Sequence, residues 1–238
     1  MANDYFSFRR FTVRQERCAM KVGTDGTLLG AWASVPTSLP HPTTGPSPRI
    51  LDIGTGTSLI ALMMAQRFPE AEVTGVDIDA EAVAQARENV AASPFAGRIN
   101  VICADVRTMA SDHDCLYEAI VCNPPYFENS LQCPDGRRSI ARHAGTLSLR
   151  ELMECVRRLL ADSGEFSVVI PTDGKQRLET EAALAGLFKV RQCAVHTKPT
   201  KGPKRHLMAF RKHPANLQTD ELLMGSERYR QLTKEFYI

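Results

Sequence analysis

The sequence predicts an α/β protein whose mostly parallel sheet is covered by helices on both faces. Two observations carry this reading. Short apolar runs alternate with segments of helical apolar spacing, joined by short loops, as in repeated strand–helix–strand units. The last two strands follow one another without a helix between them, which predicts an antiparallel hairpin at one edge of the sheet. A chain of 238 residues has room for one substantial core of this kind.

The elements follow in order. Residues 8–22 read as a short hairpin or extended arm. Residues 24–33 begin with Thr-Asp and space Leu28, Leu29 and Trp32 as a short helix does. Residues 34–48 hold Pro36, Pro40, Pro42, Pro46 and Pro48 and almost no large apolar residue, which predicts a mobile surface linker. Strands are expected at 49–53, 72–77, 99–104, 118–122, 165–170, 187–196 and 205–211. Helices are expected at 58–67, 80–92, 149–160 and 176–185, with Gly164 as a stop signal shortly after the third of these. Residues 222–238 close the fold with a short strand and a helix. The expected organisation is a single domain: an arm and short helix (1–33) packed on a core (49–238), with the loop 34–48 between them.

Composition narrows the function. Hydrophobic residues make up 43% of the chain and charged residues 24%, with a net charge of only +2, so any basic surface is local. No apolar run approaches a membrane span, and the first residues lack a charged-then-apolar signal, which predicts a cytoplasmic protein without a membrane partner. Seven cysteines, an odd number without a C-x-x-C pair, predict reduced and mostly buried thiols. Six dispersed histidines at no zinc-ligand spacing predict no metal.

The chemistry gathers at the expected strand ends. Asp52-Ile53-Gly54-Thr55-Gly56-Thr57-Ser58 lies between the first core strand and its helix, where glycines let the backbone approach a ligand and the helix start offers free N–H groups. Asp77 ends the second strand, where a carboxylate can accept both hydroxyls of a ribose. Asp105 follows the third and can accept from an adenine amine. Each aspartate alone reads equally well as a helix cap. Ser58 or Leu59 stands where a dinucleotide fingerprint has its third glycine. That favours S-adenosylmethionine, which has a ribose, an adenine and a methyl group to give but no pyrophosphate.

Asn123-Pro124-Pro125-Tyr126 follows the buried-strand run Ala119-Ile120-Val121-Cys122. The prolines fix φ near about −65° and remove two donors, and Pro124 biases Asn123 towards extended backbone. The Asn123 side-chain oxygen and nearby carbonyls then remain as acceptors for the two N–H groups of an exocyclic amine. Tyr126 offers a face for the amine's ring, with Phe127 either helping it or packing in the core. Basic residues cluster at Arg9, Arg10, Arg14 and Arg17, at Arg137, Arg138, Arg142 and His143, and at Lys198, Lys201, Lys204 and Arg205. The clusters suit phosphate contacts, although any one arginine alone reads as a solvated face.

With these motifs the chain resembles the class I S-adenosylmethionine-dependent methyltransferases of the Asn-Pro-Pro-Tyr, amino-methylating group. The segment Arg17-Cys18-Ala19-Met20-Lys21-Val22-Gly23-Thr24-Asp25-Gly26-Thr27-Leu28-Leu29-Gly30-Ala31-Trp32 resembles the N-terminal motif of the bacterial tRNA1(Val) adenine-37 N6-methyltransferases. The similarity runs from about Phe11 to the Phe236-Tyr237 tail. It implies a Rossmann-like, seven-stranded sheet with a reversed last hairpin, N6-methylation of adenine 37 in a tRNA, and no obligate protein partner. It places residues 21–25 against the methionine end of the cofactor. The cofactor contacts it implies are Lys21, Thr24, Asp25, Asp52, Gly54, Gly56, Asp77, Ile78, Asp105 and Asn123. The expected catalytic corner is Asn123, Pro124, Pro125 and Tyr126, and the basic clusters supply the expected RNA contacts Arg138, Arg142, Lys198, Lys204 and Arg205. The missing third glycine is a mild departure from the group, and the Pro-rich insertion at 34–48 is unusual for the family and peripheral.

Three other readings share these motifs. Release-factor glutamine methylation uses the same tetrapeptide, but normally behind an N-terminal helical domain, and only about fifty residues precede the glycine loop here. DNA adenine methylation normally needs a separate recognition region. A catalytically silent RNA-binding scaffold on the same fold would not need the intact tetrapeptide with both carboxylates.

Overall fold

The computed structural model describes residues 4–18, 20–36, 47–109, 116–124 and 147–237. The expected linker falls mostly outside these residues, as do Pro125, Tyr126, Phe127, Arg137, Arg138, Arg142 and His143.

The main sheet runs through β3 (Arg49–Ile53), β4 (Glu72–Asp77), β5 (Ile99–Cys103), β6 (Tyr117–Cys122), β7 (Leu160–Pro171), β8 (Phe188–His196), β9 (Arg205–Arg211) and β10 (Gln218–Leu223). Their spatial order is β10-β8-β9-β7-β6-β3-β4-β5. β3 pairs in parallel with both β4 and β6, so the winding reverses beside β3. A crevice opens at the carboxyl ends of strands where an open α/β sheet reverses in this way. Among the described strands of this sheet only β9 runs against its neighbours, pairing antiparallel with β7 and β8.

Among the described residues the sheet has eight strands where seven were expected, and the eighth lies outside the hairpin of β8 and β9. Residues 218–221 of β10 are polar and Leu222 alone is buried. Such an edge strand carries no alternating apolar signal, which is why a strand was expected only from Leu222. β7 also starts earlier than expected. The preceding helix stops at Leu159, and the chain is irregular between Leu160 and Glu165 before it pairs fully with β6. Gly164 thus sits inside the strand segment.

Side chains alternate across the strands and build two cores. On β3, Ile50 faces one core and Leu51 and Ile53 face the other. The first core lies under α1 (Thr24–Trp32), α2 (Leu59–Arg67), α3 (Ala80–Ala91) and Phe236 near the end of the chain. The chain also forms α4 (Val106–Met109), α5 (Leu149–Leu159), α6 (Lys175–Leu184) and α7 (Glu227–Thr233). The second core lies under α5 and α6. Ser148 and Glu151 start α5 with a reciprocal capping box.

The expected linker is anchored at its start. Val35 is buried in the first core, and the Ser34 hydroxyl donates to the fully buried Glu165 at 2.7 Å. Glu165 also accepts from Arg191 at 2.6 Å and Arg211 at 2.8 Å, and the Arg191 guanidinium lies 4.1 Å from the Trp32 ring centroid. The composition of 34–48 gave no hint of this, because the anchor is made by one hydroxyl and one valine.

The N-terminal arm is a ribbon of β1 (Tyr5–Ser7) and β2 (Thr12–Arg14). Phe8 and Phe11 bury its turn, and Phe8 stacks on Tyr237 at 6.1 Å, so the arm and the tail pack together. The arm then climbs α3. Buried Asn89 of α3 uses its whole amide: Oδ1 accepts from the Arg14 N–H at 2.9 Å, and Nδ2 donates to the Arg14 carbonyl at 2.8 Å and the Thr57 carbonyl at 3.0 Å. One side chain thereby holds the arm and the glycine loop together. Asn89→Ala strands these three backbone groups and is expected to lower stability by about 1–3 kcal/mol, read by urea denaturation. Limited trypsin digestion should then cut faster after Arg17 and Lys21.

Candidate functional site

The glycine loop leaves β3 and turns into α2 through three left-handed residues: Gly54 (φ 68°), Gly56 (φ 52°) and, unusually for a side-chain-bearing residue, Ser58 (φ 63°). The N–H groups of Gly54 and Thr55 donate to the Val76 carbonyl at 2.9 and 3.0 Å, which docks the loop on β4. Beneath it Asp52 is 1% exposed. Its Oδ2 accepts from the Thr55 hydroxyl at 2.7 Å and the Ala61 N–H at 3.1 Å. Its Oδ1 is buried and has no hydrogen-bond partner among the described residues. Burial, reinforced by the charge of Asp77, pushes the Asp52 carboxyl up to about 7 against the two hydrogen bonds that favour the charged form. Close packing secures the arrangement: a Cβ on Gly75 would stand 2.8 Å from the Thr55 hydroxyl oxygen.

The next two strand ends carry the other expected carboxylates. Asp77 Oδ2 accepts from the Gly56 N–H at 2.9 Å, and its Oδ1 accepts from the Asp79 N–H at 3.0 Å. Ile78 beside it is 56% exposed, an apolar surface at a strand end. Asp105 accepts from Arg107 through both oxygens, and Arg107 reaches Glu151 at 2.9 Å. The hydrogen bonds from Arg107 hold the Asp105 carboxyl below its usual range. The cap of α3 is Asp79, which accepts from the Glu81 N–H at 2.9 Å, whereas Asp105 itself accepts from the Arg107 N–H at 2.9 Å at the start of α4.

The described residues of 15–22 form a strap over the crevice. Gln15 closes it by accepting from the Val22 N–H at 2.7 Å. Cys18 lies in the field of Asp77 and Asp79, and burial together with those charges raises its thiol to about 11. At the other end of the strap, Met20 reaches Asn123, whose Nδ2 donates to the Met20 sulfur at 3.5 Å.

A cleft of about 400 Å³ brings together Lys21, Thr24, Asp25, Gly54, Gly56 and Asn123. Asn123 stands at the carboxyl end of β6 and is half-buried, while Pro124 is buried. Asp52 lies below the cleft, and Asp77, Ile78 and Asp105 lie along the neighbouring strand ends. Arg205, expected on the RNA surface, also lines this cleft and is paired with Asp25. Lys198 and Lys204 are exposed in the loop between β8 and β9. Arg138 and Arg142 lie outside the described residues, as do Pro125 and Tyr126. Sequence reasoning missed Asn89, which has no local signal in the middle of a helix. It also gave no role to Met20, although Met20 sits inside the N-terminal motif. Among the described residues no cluster of three His, Cys, Asp or Glu could hold a metal ion, and no helix is long and apolar enough to cross a membrane.

Comparison with known proteins identifies the architecture and the family. The methyltransferase small domain model matches residues 37–200. The chain is 49% identical over its full length to 99% of the tRNA1(Val) (adenine(37)-N6)-methyltransferase of Phocaeicola vulgatus, and 46% identical, with the same coverage, to that of Bacteroides thetaiotaomicron. Among solved structures, Atu636 of Agrobacterium tumefaciens, described as a predicted O-methyltransferase, superimposes with a TM-score of 0.63 at 20% identity, covering 89% of this chain and 96% of that one. The likeness to Atu636 extends to the fold alone. The full-length identity, set on a class I methyltransferase sheet with its glycine loop and Asn123 in one cleft, places the chain in the tRNA1(Val) (adenine(37)-N6)-methyltransferase family.

Proposed function

We propose that the protein methylates N6 of adenine 37 in tRNA1(Val), with S-adenosylmethionine as donor. The observation that carries the reading is the convergence of the glycine loop and Asn123 on one cleft. The donor set suits the cofactor. Asp52 presents a buried, unpartnered oxygen fit for an ammonium group, Asp77 a carboxylate beside the loop for ribose hydroxyls, and Ile78 an exposed apolar face for an adenine ring. Lys21, Thr24 and Asp25 approach the methionine end. Asp105, oriented by Arg107, stands at the next strand end for the adenine's amine.

When bound, S-adenosylmethionine supplies an electrophilic methyl group on a sulfonium. The protein's own residues orient the nucleophile. The target N6 is weak because its lone pair is delocalised into the purine. In our reading the Asn123 Oδ1 and the Pro124 carbonyl each accept one N6–H, which favours a pyramidal nitrogen and aims its lone pair at the methyl carbon. Preorganised acceptors and fixed geometry supply the rate enhancement. N6 gains the methyl group and becomes acidic, so its proton passes to water without a strong base. Tyr126, after Pro125, stacks on the base, an interaction worth roughly 1–3 kcal/mol. An adenine in a tRNA loop turns outwards to reach such a pocket. Exposed Lys198 and Lys204 suit phosphate contacts, and the sequence assigns the same role to Arg138 and Arg142. The enzyme works in the cytoplasm without an obligate protein partner, a setting that suits the free cysteines 18, 103, 122, 155 and 193.

Asn123→Ala is expected to bind S-adenosylmethionine with near-normal affinity by calorimetry. Its single-turnover methyl transfer to unmodified tRNA should fall about 10²-fold or more. An unchanged rate removes Asn123 from the chemistry. A second prediction concerns Asp52. Its folded carboxyl titrates at about 7 against an ordinary value of 3.8, so the folded state keeps a proton that the unfolded chain releases between those values. Stability of the free protein therefore falls as pH rises across that window and levels off above it. Asp52→Asn should abolish this slope in denaturation midpoints, leaving a difference curve between variant and wild type that tracks one titrating group.

A further inference from the structure

We propose that Met20 is a positioning residue whose thioether favours the orientation of the Asn123 carboxamide that turns its oxygen to the target amine. The inference rests on the functional reading of Asn123 as an acceptor. The oxygen and nitrogen of an asparagine amide are nearly identical in size, so neighbouring partners decide the orientation. A thioether sulfur accepts and has no hydrogen to donate. The Met20 sulfur lies 3.5 Å from Asn123 Nδ2, so this contact forms with the nitrogen end and is lost when the amide turns over. A reversed amide would present N–H groups to an amine that also presents N–H groups.

The placement of Met20 supports this role. It is 46% exposed at the cleft, so burial does not account for a methionine there. The strap that carries it is closed end to end by the Gln15–Val22 hydrogen bond, and Asn89 of α3 holds Arg14 just before it. Asn89 also grips the Thr57 carbonyl of the glycine loop, so the element that holds the cofactor loop also delivers the sulfur.

Two readouts test the proposal with full-length protein. The first needs no substrate: the side-chain amide resonances of Asn123, assigned by their loss in Asn123→Ala, are compared between wild type and Met20→Leu in nitrogen-edited spectra. The second is single-turnover methyl transfer to unmodified tRNA at saturating S-adenosylmethionine, with cofactor affinity measured by calorimetry. Met20→Leu keeps the bulk and removes the acceptor. It is expected to shift the Asn123 resonances and to slow transfer about tenfold, equivalent to about 1.4 kcal/mol, with cofactor affinity within about twofold of wild type. Met20→Gln, whose carbonyl can accept in place of sulfur, should recover most of the rate. Unshifted resonances in Met20→Leu overturn the contact. Shifted resonances with an unchanged rate, or a rate loss that Met20→Gln does not recover, overturn its role. A wild-type protein inactive on tRNA overturns the functional reading itself, while the resonances still decide the contact.

Discussion

The carboxylate of Asp52 is withdrawn from water at the end of β3, and the rest of the site is built over it. Through Oδ2 it holds the Thr55 hydroxyl and the first turn of α2 at once, so the glycine loop and the helix start move as one body. The bare Gly75 on β4 makes room for Thr55 to lie flat against the strand. The other oxygen is left without a partner among the described residues, and desolvation raises the group to about 7. A buried acid in this state is costly by itself and becomes favourable when a cation arrives. The loop is thus held by one oxygen, and the other is left for the cationic ligand that the proposed function assigns to it.

Around this fixed point the chain arranges a second function. β6 lies beside β3, so its end places Asn123 across the crevice from the glycines without any long-range loop. The strap 15–22 spans the same gap from above, with Cys18 near Asp77 and Met20 near Asn123. Arg205 closes the far wall through Asp25 and so links the start of β9 to the start of α1. Cofactor loop, acceptor corner and strap are therefore one connected structure. That is the condition under which positioned acceptors can speed methyl transfer to a weak nucleophile.

Much of this was legible in the sequence because it is local. The core strands and helices show their periods openly, and a Gly-x-Gly or an Asn-Pro-Pro carries its conformational consequence within a few residues. Thus Gly54, Gly56 and Asn123 were found from sequence and fall in one cleft. The unread features depend on distant partners or on weak patterns. β10 is a polar edge strand with one buried leucine and no alternation to detect. Ser34 and Val35 looked like linker because their anchors, Glu165 and the first core, lie far along the chain. Asn89 looked like an ordinary helix residue, yet it pairs with backbone seventy-five residues earlier. Arg205 belonged by sequence to a basic loop, and only the fold shows it turned inward to Asp25.

The central claim is that a proline-stiffened acceptor at the end of β6 directs methyl transfer to an exocyclic amine. The most direct measurement is mass spectrometric mapping of unmodified tRNA after incubation with the purified protein and S-adenosylmethionine. The account predicts a single new N6-methyladenine at position 37 of tRNA1(Val). A methyl group found on a ring nitrogen or a ribose oxygen, or only on a protein glutamine offered in parallel, would contradict it.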